Sequence, residues 1–316
     1  MSRVSPSFRK SGTRVNKLFN FKQNIDNMKL DGRRMSTNVD DRRKKGGTAA
    51  KVGGGIGIGG IIIALIVWFL GGEAPNVGNI LQDVQSTAST WVDSKTQEQM
   101  ATKCSQFLAS TEDFWSEEFE KVGGYYRQPK LVLYSDTVTT GCGYEQAKCM
   151  GPFYCNGDES VYIDIDQMVS SYTAMGDVCD LVYAEIIGHE VGHHVEHLRG
   201  EMDKMMEMAY RYGQESTQFL KESVRTELLA DYYAGCWAHF EQARFGSISD
   251  DEIRKTLDLM PKKGDDYIQK KARGYVNPDS FTHGTSEQRY RWFKKGLESG
   301  DPAAGRVILT MPYDQL

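Results

Sequence analysis

From Val52 to Gly72 this 316-residue chain runs through 21 consecutive uncharged residues, with Ile61-Ile62-Ile63-Ala64-Leu65-Ile66-Val67-Trp68-Phe69-Leu70 at their centre. A helix of that length spans a hydrocarbon layer about 30 Å thick, and Trp68 near its end suits the interface. The run also divides the chain electrically. Residues 1–51 hold 14 Lys or Arg against 4 Asp or Glu, and the remainder holds 24 basic and 39 acidic residues. The abrupt boundary at Lys51 favours a span over a buried core helix or a glycine-rich loop. A cleaved signal peptide fits less well, because the basic region is long and no small-residue cleavage site follows Leu70. Positive flanks stay cytoplasmic. The expected order is therefore a cytoplasmic, mobile arm at 1–51, a transmembrane helix at 52–72, a linker at 73–97, a folded domain at 98–300 outside the cytoplasmic membrane and a tail at 301–316.

The chain as a whole has ordinary globular composition, 40% hydrophobic and 26% charged, enough for one core. Its six cysteines form no CxxC pair, which argues against a zinc ribbon; in a domain placed outside the cytoplasm, Cys142 and Cys155, flanking a short loop, are the first disulfide to expect. Leu131-Val132-Leu133-Tyr134 and Val161-Tyr162-Ile163-Asp164 are short β-type runs bounded by Gly, Pro and Asn. Met100, Cys104, Phe107 and Leu108 mark a helix after the linker. From Asp177, a credible N-cap, to Gly200, a credible C-cap, apolar residues recur at helical spacing, and a second long helix includes Phe219 to Phe240, with Gly213 breaking the segment before it. Strands followed by helices without regular alternation predict an α+β domain.

The first of these long helices carries His189-Glu190-Val191-Gly192-His193. Residues four apart lie one above the other on a helix, so His189 and His193 present two imidazoles to one metal ion with Glu190 beside them. Two histidines and an adjacent carboxylate are the parts needed to activate water on Zn²⁺, with Glu190 as general base. Gly192 leaves room for another segment to pack close by. A catalytic zinc takes three protein ligands. Position 196 is Glu and position 199 is Arg, which excludes the metzincin pattern of a third histidine. Glu227-Leu228-Leu229-Ala230-Asp231 instead offers Glu227 as third metal ligand and Asp231, on the same helical face, as acceptor for the second N–H of a ligand histidine. This is a gluzincin-like arrangement.

The other histidines have weaker claims. His194 stands about 100° around the helix from His193, and His197 would need three imidazoles in one straight row; both are expected to be structural, as is His239, three turns past Glu227. His283, in Thr282-His283-Gly284-Thr285-Ser286, offers either a hydrogen-bond donor to a developing oxyanion or the cap of a helix, and Arg289 either helps it or forms an internal salt bridge.

With Asn38-Val39-Asp40-Asp41-Arg42-Arg43, Gly151-Pro152-Phe153-Tyr154-Cys155, the His189 and Glu227 segments and Thr282 to Ser286 taken together, the chain resembles the bacterial neutral zinc metallopeptidases, single-pass proteins with a basic N-terminal arm. The resemblance implies a zincin-like domain at the inner membrane, with an edge strand receiving extended polypeptide and two helices delivering the metal residues and the base. It implies no particular substrate. Tyr232 departs from the smaller residue, Cys or Phe, expected in relatives, so no disulfide is carried over to that position. The expected function is zinc-dependent peptide-bond hydrolysis by an endopeptidase acting outside the cytoplasmic membrane. The rival reading is a zinc-binding scaffold or regulatory protein, which the intact Glu190 disfavours. A nucleic-acid partner is not expected, because no aromatic residues interleave regularly with the arm's charges.

Overall fold

A computed structural model describes residues 28–43, 92–135, 137–146, 151–176 and 178–316. Small strands, interrupted after the first by one long helix, precede a run of helices, an α+β arrangement. β1 (Val39–Asp41), β2 (Lys130–Tyr134), β6 (Ser160–Asp164) and β5 (Phe153–Cys155) form one sheet in that spatial order. β1, β2 and β6 are parallel, with Val39 opposite Leu131 and Leu131 opposite Val161, while β5 closes the edge antiparallel to β6. β3 (Thr137–Thr140) and β4 (Gly143–Gln146) make a separate hairpin. The disulfide expected between Cys142 and Cys155 is present and ties the end of that hairpin to β5. Cys104, Cys179 and Cys236 are free and buried.

α1 (Ser94–Lys121) begins where Asp93 accepts the backbone N–H groups of Lys95 and Thr96, so the helix starts inside the stretch expected to be linker. α2 (Ile165–Thr173) is capped by Asp164. α3 (Asp180–Leu198) starts from Cys179 without a side-chain cap bond, and the Asp177 proposed for that role lies outside the described residues. Gly200, at φ +69°, ends α3 as expected: the N–H of Glu201 reaches back to the Glu196 carbonyl. α4 (Asp203–Tyr212) stops at Gly213, and α5 (Thr217–Phe245) runs longer at both ends than its apolar period indicated. α6 (Asp250–Leu259), α7 (Asp265–Arg273), α8 (Ser286–Ser299) and the short α9 (Pro302–Gly305) follow.

α3 and α5 lie nearly backbone to backbone. A Cβ at Gly192 would sit 3.0 Å from the Ala230 Cα, and one at Gly188 would meet the Trp237 ring at 3.2 Å. On its other side α5 crosses α8 as closely, where Gly235 faces the Phe293 carbonyl and Gly296 the Tyr232 carbonyl. Leu181, Ile187, Val191, Val195, Leu228, Leu229 and Phe293 fill the spaces between these helices and are fully buried. Each such side chain contributes about 1.5–3 kcal/mol of apolar burial. Tyr232 is a packing post, its hydroxyl donating to the Asp301 carbonyl (2.9 Å) and accepting from the Ser299 hydroxyl (3.0 Å).

One expectation changes. Residues 28–43, assigned from sequence to the mobile arm, are built into the domain. Met28 and Leu30 are core residues, β1 pairs with β2, and Arg33 clasps Glu241 through two hydrogen bonds (2.6 and 3.1 Å). Charge composition hid this, because Arg33 and Arg34 serve buried carboxylates of the body. The span expected at Val52–Gly72 lies outside the described residues; among the described residues no helix is long and apolar enough to cross a membrane.

Candidate metal centre

His189 and His193 stand one turn apart on α3, their rings edge to face with centroids 4.6 Å apart, and their Nε2 atoms turn toward Glu227 of α5. His189 Nε2 lies 3.2 Å from one Glu227 oxygen and His193 Nε2 lies 3.5 Å from the other. One donor atom from each of the three side chains falls within 4.8 Å of the others. Two atoms each about 2.0–2.1 Å from a tetrahedral zinc stand about 3.4 Å apart. The contacts of Glu227 with both imidazoles thus have the edge lengths of such a site, and two nitrogens with one carboxylate oxygen suit zinc's preference. The residues present fit the ion. Glu190, His189 and His193 each keep 8% exposure and Glu227 keeps 3%, so the cluster is sunk in the domain but reachable.

Each imidazole is aimed from behind by its own carboxylate. His189 donates through Nδ1–H to Asp231 Oδ1 (2.9 Å), one turn past Glu227, and His193 donates through Nδ1–H to Glu196 (2.8 Å), three residues along its own helix. With Nδ1 committed to these carboxylates, loss of the Nε2 proton that each ring shares with Glu227 would leave the Nε2 lone pairs for a metal. Asp231 also accepts from the Nε and Nη2 of Arg289 (2.7 and 2.7 Å), so Arg289 forms the internal salt bridge. A second group, Glu185, His189 and Asp231, is also close enough for an ion. There, however, the Lys263 ammonium pairs with Glu185 and Arg289 pairs with Asp231, which makes the group a neutralised support for His189.

The electrostatics follow from this crowding. Burial alone would lift Asp231, but the Arg289 guanidinium holds it down at about 2. Burial likewise works against ionised Glu227, yet His283, His193 and the hydrogen bonds from both imidazoles hold it well below the usual carboxylate range. Burial would lower His189, but its bonds to Asp231 and then Glu227 outweigh that and push it up to about 9. His193 is raised in the same way by Glu227 and Glu196. Two carboxylates here go the other way: burial raises Glu190 above its ordinary value and pushes Glu196 up to about 8 against the pull of His193. The cluster therefore stores excess negative charge, which positively charged imidazoles or a divalent cation can offset.

His283 enters from the loop before α8. The loop is gathered around Asp265 at the start of α7, whose Oδ2 accepts the N–H groups of Thr282, His283 and Gly284 (2.7, 2.7 and 3.1 Å). Asp265 Oδ1 lies 3.3 Å from His283 Nδ1. Gly284, at φ +90°, permits the turn. Thr285, rather than His283, caps α8 through a reciprocal bond with Gln288. The remaining histidines are structural. His194 donates through Nε2–H to the Arg127 carbonyl (2.6 Å) and takes a hydrogen bond from the Tyr154 hydroxyl (3.1 Å), which in turn accepts from His197 (2.8 Å). His239 donates to the Leu297 carbonyl (2.9 Å).

The structure thus gathers His189, Glu190, His193, Glu227 and Asp231, with His283 close enough for its charge to act on Glu227. Sequence reasoning missed Glu196, Glu185, Lys263 and Asp265. Glu196 had a legible signal, a carboxylate at i+3 on the face of His193; Asp265 had none, because only the fold brings it to His283.

Comparison with known proteins adds the family. "Uncharacterized protein YpfJ" of Escherichia coli K12 is 41% identical over 282 residues, covering 87% of this chain and 97% of that protein. "Uncharacterized protein Mb2605" of Mycobacterium bovis and "Uncharacterized protein Rv2575" of Mycobacterium tuberculosis are each 36% identical over 190 residues, 56% of this chain and 61% of those proteins. No solved structure matches significantly. The family described as "Putative neutral zinc metallopeptidase" matches residues 28–307, and the chain belongs to it.

Proposed function

We propose that the chain is a zinc-dependent endopeptidase of gluzincin type, in which His189, His193 and Glu227 hold the metal and Glu190 is the general base. The observation that carries this reading is the meeting of two Nε2 atoms with one carboxylate at 3.2 and 3.5 Å, each imidazole backed by its own buried carboxylate. Bound zinc supplies Lewis acidity, bringing the pKa of water toward neutrality and polarising a carbonyl. Glu190, its proton affinity raised by burial, takes the proton of the attacking water and returns it to the leaving amine. His283, whose proton Asp265 and Glu227 help retain, donates a hydrogen bond to the oxyanion. Asp231 and Glu196 fix the tautomers of the two metal-facing rings.

A polypeptide substrate is supported by the family description and by β5, which has no strand on its outer side among the described residues and can pair with extended backbone. The Cys142–Cys155 bridge supports work in an oxidising compartment, outside the cytoplasm. The test is cleavage of an unfolded protein by the zinc-loaded full chain beside Glu190→Gln. The variant should keep its zinc and lose about 10²–10⁴-fold in rate. Zinc binding with equal turnover in both proteins would remove Glu190 from the chemistry, and zinc without any turnover would leave the scaffold reading.

A further inference from the structure

Two parts of the domain stand on opposite sides of Val52–Gly72 in the sequence and side by side in the fold. β1 pairs in parallel with β2 over Val39–Leu131, Asp40–Val132 and Asp41–Leu133, the Leu131 N–H also reaching the Asn38 carbonyl (2.9 Å) and the Arg42 N–H the Leu133 carbonyl (2.7 Å). Farther upstream the Lys29 N–H reaches the Ser247 carbonyl (3.0 Å) and the Ser36 N–H the Ser105 carbonyl (3.1 Å). The charges are more telling than the ladder. Glu241 of α5 is fully buried and takes its cation from Arg33. Glu112 of α1 is 1% exposed and is met by Arg34 (2.9 Å), Ser36 (2.6 Å) and Asn38 (2.8 Å). Both carboxylates would be left buried without these partners if residues 28–43 stood elsewhere, an arrangement that proteins avoid.

We infer that residues 28–43 and 92–316 occupy one side of any membrane the protein meets. A single crossing between Arg43 and Val92 would place β1 and β2 on opposite faces. A second crossing needs about 20 more apolar residues, and residues 73–91 include Glu73, Pro75, Asn76, Asn79, Gln82 and Asp83. The strap that looked cytoplasmic by charge therefore shares the compartment of the metal centre. This inference is independent of the peptidase reading.

Sidedness is read in intact bacterial spheroplasts with a membrane-impermeant maleimide. Two reporters, each with one added cysteine, are made in the full chain with Cys149→Ser: Met35→Cys in the strap, where the side chain is half exposed, and Tyr125→Cys in the body, at 87% exposure. The three free native cysteines are buried and Cys142 is bridged to Cys155, so they stay silent. Both reporters should label together, or both only after lysis. One labelling before lysis and the other only after it overturns the inference. A second measurement does not depend on the membrane. In detergent-purified full chain, Arg33→Glu should lower the melting temperature by about 10 °C, and adding Glu241→Arg should restore part of the loss. No change in the single variant would mean that the strap does not serve Glu241, and would equally overturn the inference.

Discussion

Glu196 and Asp231 do the same job for two neighbouring imidazoles from different surroundings, and that difference makes a sharp prediction. Asp231 is doubly used, accepting from His189 and forming a two-bond pair with buried Arg289. Glu196 accepts from His193 with one oxygen, while its other oxygen is buried without a hydrogen-bond partner. In Glu196→Gln the amide oxygen can still accept the Nδ1–H of His193, so the ring keeps its tautomer and loses only the charge behind it. Zinc affinity should fall about 10–100-fold, or about 1.4–2.7 kcal/mol at 1.36 kcal/mol per tenfold. Folding stability without metal should hardly drop, because burial already pushes Glu196 up to about 8 and neutralising it removes a buried charge. Asp231→Asn should weaken zinc to a similar degree and also strand Arg289, costing about 3–5 kcal/mol and about 10 °C in melting temperature. Chelator competition gives the affinities and melting with excess chelator gives the stabilities, both in the full chain. Zinc binding by Glu196→Gln within twofold of the parent would refute the reasoning. So would a loss of stability equal to that of Asp231→Asn.

Further outcomes follow from the same geometry. His283→Ala should lower kcat/KM about 10²–10³-fold while zinc content stays whole; loss of the metal instead would mean that the ring supports Glu227 and not the oxyanion. Without metal, His189 has a folded value raised from 6.5 to about 9, so its stabilisation is complete below about pH 6.5 and disappears as pH rises through 9. Melting temperatures in chelator should therefore fall from pH 6.5 to 9, and saturating zinc should flatten the slope; an unchanged slope with zinc would separate the titration from the metal centre.

The ligand helices were legible because their signals are local. His189 and His193 share a face by spacing alone, Glu227 and Asp231 do so again 34 residues on, and Gly192 announced a close neighbour. Cys142 and Cys155 were legible for a similar reason, since few residues separate them. What failed was nonlocal. Arg33 and Arg34 counted toward a solvated basic arm because their partners, Glu241 and Glu112, lie 208 and 78 residues away. A three-residue strand such as Val39–Asp41 has too few positions to show a period of two. Asp265 became visible as the organiser of the His283 loop only once three backbone N–H groups converged on it.

The backbone contact between Gly192 and Ala230 sets α3 and α5 at a fixed separation, with a consequence for how the centre responds to distant change. Zinc sites tolerate deviations of only about ±0.2 Å in their ligand distances. The interval from the two imidazoles to Glu227 is gauged here by main chain, with little slack for rotamers to absorb. Ala230 is in turn part of a helix braced from behind by α8 through Gly235 and Gly296. Metal affinity should thus act as a ruler for the three-helix stack: a Cβ at Gly296 would collide with the Tyr232 carbonyl, so a substitution there should displace α5 and be read as lost zinc along with lost stability.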